Sequence, residues 1–95
     1  AGKTPDSIAL AHSVQQALVT KLRSKYDDIR DLGVKKAPFY VLVGAKMPCI
    51  LAEVSFIDHK IEGRRLATKE YQMKVAKGLR DGIVDFLELE TRDLR

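Results

Sequence analysis

"PCILAEVSFIDH", residues 48–59, decides how the rest of this chain is read. Cys49, Ile50, Leu51, Ala52, Val54 and Phe56 are apolar, and Glu53 stands among them. Ile50, Ala52 and Val54 would share one face of a strand, with Cys49 and Leu51 on the other. Apolar residues on both faces are the pattern of a central strand covered by helices on each side. The stretch therefore predicts a strand over residues 49–56. A lone carboxylate in such a strand would neutralise or find a partner, because an unpaired buried charge is very costly. Glu53 thus becomes the candidate functional residue. It lies towards the carboxyl end of the strand, beyond which open α/β sheets place their ligand crevice. A structural role, as partner of a buried arginine or of backbone donors, is the competing reading.

Working upstream, "FYVLV" at residues 39–43 is aromatic and β-branched and predicts a shorter strand. "GAKMP" separates the two. A link that short closes an antiparallel hairpin but cannot make a parallel crossover. "YDDIRDLGVKKAP" keeps no period and is punctuated by Gly33 and Pro38, so it is a connector. Before it, Leu10, Val14, Leu18 and Leu22 form a helical stripe widened by Ala11 and Ala17. A helix over residues 7–25 follows, started by Thr4-Pro5-Asp6-Ser7 with Asp6 or Ser7 as cap.

Downstream, "IDHKIEGRRLAT" is a polar connector with room for a helical turn. Thr68 caps a second long helix in which Tyr71, Val75, Leu79, Ile83 and Phe86 recur at helical spacing. Gly78 and Gly82 share one face of it. Each costs about 1 kcal/mol against alanine in a helix interior, so close backbone packing is expected there. Residues 89–95 read as a flexible tail. The expected order is α-β-β-α: a long N-terminal helix, an antiparallel β-hairpin and a long C-terminal helix. A strand apolar on both faces expects a neighbour on each side, so the pattern suggests part of a larger sheet.

The chain has 95 residues, 17 basic against 13 acidic, for a net charge of +4. The charges alternate in sign, as on a solvated surface, and no RNA-binding aromatic motif or DNA-binding fingerprint is present. No apolar run approaches the roughly 20 residues of a membrane helix. The single cysteine, Cys49, excludes an internal disulfide and reads as a small buried hydrophobe.

"SIALAHSVQQAL", "GVKKAPFYVLVGAKMPCILAEVSFIDH" and "YQMKVAKGLRDGIVDFL" occur in that order. Together they resemble the C-terminal half of the zinc-dependent N-acetylmuramoyl-L-alanine amidases of the type 3 family, which hydrolyse peptidoglycan. The resemblance runs from Ser7 to about Leu87, and Pro48, Glu53 and Phe56 carry its most specific part. It implies a fragment of a three-layer α/β/α sandwich, with residues 1–95 as the C-terminal part of one catalytic domain. It also implies that Glu53 is the catalytic glutamate, acting beside a zinc ion held by a His, a Glu and a second His. Those ligands would precede the first helix, so the chain alone is expected to be inactive and to bind no zinc. Peptidoglycan, the N-terminal half of the domain and a second copy paired along an open strand edge are the implied partners. The cell envelope is the implied location.

The sequence departs from the family at Ser55, where Gly is usual, and at Ile57-Asp58-His59, where the pattern ends in Asn. His12 and His59 are the candidate metal ligands. Neither belongs to a recognisable ligand spacing, so His12 reads as a surface residue and His59 as a loop cap. The alternative to an enzyme is a non-catalytic binding or regulatory module on the same scaffold.

Overall fold

In the computed structural model, residues 3–36, 42–54 and 60–93 are described, the side chains of residues 3, 4 and 93 excepted. They form three helices: α1 (Lys3–Arg23), α2 (Lys60–Leu66) and α3 (Lys69–Asp93).

α1 begins ahead of the expected start. Pro5 is accommodated in its first turn, where the backbone N–H groups have no intrahelical acceptor in any case. Asp6 in that turn and Lys21 and Arg23 in the last turn both suit the helix dipole. Ser7 is not the cap. Its hydroxyl accepts a hydrogen bond from the Cys49 N–H at 3.1 Å. The C-terminus closes with the N–H groups of Lys25 and Tyr26 on the Leu22 carbonyl, at 3.2 and 2.8 Å.

α3 starts at the expected cap. The Tyr71 N–H donates to the Thr68 hydroxyl at 3.2 Å, and that hydroxyl donates to the Arg65 carbonyl at 2.7 Å. One threonine therefore ends α2 and starts α3. Thr68→Ala should cost about 1 kcal/mol, the usual loss of an N-cap. Thr68→Ser should cost much less, and urea unfolding of the two variants checks the difference. α3 continues to Asp93, into the stretch read as tail.

α1 and α3 run antiparallel and form the core: Val14, Leu18, Val19 and Leu22 from α1, Tyr71 and Phe86 from α3. The two glycines allow the approach. A Cβ built on Gly82 would stand 2.5 Å from the Val14 Cα, and one on Gly78 would stand 3.1 Å from the Leu18 Cα. The Ser13 hydroxyl donates to the Gly82 carbonyl at 2.7 Å, locking the same crossing. Beside the lower end of this pair, Tyr26 meets Tyr71 edge-on, with ring centroids 5.5 Å apart. Arg65 of α2 lies 4.5 Å over the Tyr26 ring and pairs with Asp28 at 2.7 Å.

Among the described residues the expected antiparallel β-hairpin is absent, and with it the α-β-β-α order and the sandwich fragment. No strand or sheet occurs among the described residues. Of the first expected strand, residues 39–41 lie outside the described residues. Leu42 closes a tight turn instead, accepting from the Ala45 N–H at 3.3 Å, with Gly44 at φ +86°. Residues 49–54 of the second expected strand join no ladder; residues 55 and 56 lie outside the description. The physical reason is that β-propensity measures fit to neighbouring strands more than a preference of the backbone itself. A two-stranded hairpin alone is marginal in water. A sequence patterned for the middle of a sheet has no adjacent strand among the described residues to satisfy it.

Candidate functional site

Without the strand, Glu53 is not a buried charge. Its side chain is exposed, as are Leu51 and Ala52, while Cys49, Ile50 and Val54 are half-buried. Residues 42–54 lie along one side of α1 and leave between them a groove of about 1420 Å³. Val14 and Leu18 of α1 line it, with Ile50 and Val54 opposite. Lys35, Lys36 and Glu53 add charged groups to its lining. Among the described residues, a hydrogen bond from the Cys49 N–H to the Ser7 hydroxyl ties this segment to α1. Glu53 itself makes no hydrogen bond or ion pair among the described residues. Its two carboxylate oxygens are thus accessible from the groove as acceptors.

The connector on the other wall is fastened by its own Asp31 and by Gln15 and Arg23 of α1. The Asp31 carboxylate accepts from Gln15 at 2.8 Å and from the Gly33 N–H at 2.9 Å. These hydrogen bonds, the Gln15 bond foremost, hold its carboxyl below the usual aspartate range, and the nearby Arg23 charge acts in the same direction. Gly33 takes φ +81°, a conformation that side-chain-bearing residues rarely adopt. Arg23 reaches the Ile29 carbonyl at 3.3 and 3.2 Å. A second, smaller cavity of about 530 Å³ lies here, with His12 on its wall.

His12 is exposed on α1, as expected, and lines that cavity rather than the groove beside Glu53. Cys49 is half-buried against α1, in keeping with a packing role. His59 lies outside the described residues. Among the described residues, no group of three or more His, Cys, Asp or Glu side chains is placed to hold a metal ion. These residues therefore do not fit zinc. Two features escaped the sequence reading. One is the Tyr26–Arg65–Asp28 cluster, in which Arg65 stands 37 residues from Asp28 and no spacing signal links them. The other is Lys35 and Lys36 on the groove, for which the sequence carries no signal.

No described helix is long and apolar enough to cross a membrane. Comparison with known proteins gives a consistent result. Residues 1–85 match the family described as N-acetylmuramoyl-L-alanine amidase. The chain is 37% identical over 83 residues to an uncharacterized cell wall amidase of Bacillus anthracis, covering 87% of this chain and 15% of that protein. It is 36% identical over 81 residues to the N-acetylmuramoyl-L-alanine amidase LytC of Bacillus subtilis, covering 85% of this chain and 15% of LytC. It is 34% identical over 79 residues to the amidase AmiC of Escherichia coli, covering 81% of this chain and 19% of AmiC. The chain thus spans less than a fifth of the length of each of these relatives. No solved structure matches it.

Proposed function

This chain belongs to the N-acetylmuramoyl-L-alanine amidase family, and from that membership we propose that it forms part of a peptidoglycan amidase and supplies its catalytic glutamate, Glu53. The observation that carries the reading is the family match over residues 1–85, within which Glu53 sits accessible at an open groove. The bond cut is the amide between the lactyl group of N-acetylmuramic acid and the L-alanine of the stem peptide. The products are a lactyl carboxylate and a free alanine α-amine.

A carboxylate suits both proton transfers in that reaction. As water adds to the amide carbonyl carbon, Glu53 accepts its proton. As the carbon–nitrogen bond breaks, Glu53 returns that proton to the leaving nitrogen. Positioned proton transfer of this kind contributes about a hundredfold to ten-thousandfold. An exposed carboxylate beside a long open groove also suits a polymeric substrate, which could not enter a closed cavity. Zinc, which the family resemblance implies, finds no donor set among the described residues. Work at the cell envelope follows from the proposed substrate.

The test is a chimera in which this chain replaces the matching stretch of LytC. The chimera should solubilise purified peptidoglycan. A folded chimera without hydrolysis, but with retained binding to the polymer, would favour a non-catalytic binding module.

A further inference from the structure

The outer face of α3, turned away from α1, carries Met73, Ile83, Val84 and Leu87, each between 44% and 56% exposed. With Ala76 and Arg80 they follow helical spacing along one stripe. Charge along the helix is sharply divided. Residues 69–80 hold four basic side chains and one acidic; residues 81–93 hold five acidic and one basic. The helix dipole, felt in the first and last turns where Glu70 and Arg92 stand, does not account for this division.

The neighbouring helix does not correct it. Because α1 runs antiparallel, its own basic end lies beside the basic half of α3. Lys25 takes Glu70, the one acid there, and Lys21 reaches Asp81. Lys77, Asp85, Glu88 and Glu90 form no ion pair among the described residues.

From this layout we infer that the outer face of α3 is a self-association surface, occupied by α3 of a second copy running antiparallel across a two-fold axis. Antiparallel pairing sets the basic half of each helix beside the acidic half of the other; a parallel pairing would set like against like. A two-fold contact of this kind uses the same patch on both copies. Lys77 and Glu88 lie symmetrically about the Gly82–Ile83 bond, so each Lys77 faces Glu88 of the second copy. Ile83 and Val84 of both copies meet near the axis. Leu87 packs beside Ala76 and the aliphatic stem of Arg80 from the other copy. This surface is distinct from the strand edge that the sequence suggested.

Sedimentation equilibrium of the 95-residue chain over a range of concentrations tests the inference. A monomer–dimer equilibrium is expected. Val84→Glu should abolish it while circular dichroism stays unchanged. Lys77→Glu and Glu88→Lys should each weaken it about tenfold, since every exposed pair recurs twice by symmetry. The double variant Lys77→Glu/Glu88→Lys should recover the parent affinity. A monomer at every concentration overturns the inference. So does a dimer indifferent to Val84→Glu, or one that the double charge reversal leaves as weak as the single variants.

Discussion

Gly82→Leu should prevent α1 and α3 from packing and leave most of the chain unfolded at room temperature. The position already lacks room for one carbon, because a Cβ there would stand 2.5 Å from the Val14 Cα and 3.0 Å from the Ser13 carbonyl oxygen. Both obstacles are backbone, so a rotamer change cannot relieve them. Two effects compete. Replacing a helix glycine gains about 1 kcal/mol of helix propensity. Overpacking costs about 1–3 kcal/mol for added methylenes and more when backbone must move. With a four-carbon side chain the steric term wins, and a domain of this size has only about 5–15 kcal/mol in total. Gly82→Ala should already destabilise. Gly78→Ala should be milder, because the nearest atom there is the flexible Leu18 Cδ2 at 2.9 Å. Urea unfolding followed by far-ultraviolet circular dichroism ranks the three. A Gly82→Ala variant more stable than the parent would mean that the helices do not touch at this position.

Glu53→Gln has the second large effect. In the LytC chimera it should lower peptidoglycan hydrolysis by about a hundredfold to ten-thousandfold. The amide keeps the shape of the side chain but cannot take a proton from water. The same variant should leave unfolding within about 0.5 kcal/mol of the parent, as an exposed substitution away from any structural contact does. Glu53→Asp keeps the acid but withdraws it from the reacting atoms, so it should retain part of the rate. Hydrolysis by the Gln variant near the parent rate would end the assignment of Glu53, whatever the fate of the fold.

The helices were legible because their signals are local. Val14, Leu18 and Leu22 repeat with the helical period, and the structure buries all three. Thr68 was legible as a cap, and the paired glycines as a close approach, for the same reason. Ile83 shows the limit of a spacing argument. Each four-residue step overshoots a helical turn by about 40°. The run Tyr71, Val75, Leu79, Ile83 therefore rotates away from α1, and Ile83 ends 46% exposed. Boundaries were less legible, since α1 begins ahead of its expected cap and Ser7 is engaged with Cys49.

The hairpin was misread for a deeper reason. Residues 49–54 have the composition of a sheet interior, but composition records what a segment would pair with, not whether a pairing strand is there. The premise that singled out Glu53, a charge held in a dry strand, fails with the hairpin: the carboxylate is exposed. What continues to single it out is its place in the Pro48–Phe56 stretch that carries the family resemblance, together with its access to the groove. Lys35 and Lys36 stayed illegible as groove residues because only the folded path of the connector brings them there.

Chemical analysis of the cut ends measures the proposed activity most directly. Purified peptidoglycan digested by the LytC chimera should gain N-terminal L-alanine, with no rise in reducing sugar ends, and the Glu53→Gln chimera should release almost none. Reducing ends without new alanine termini would identify a glycan-cleaving activity and contradict the assigned bond. Equal alanine release from the two chimeras would contradict the assigned residue.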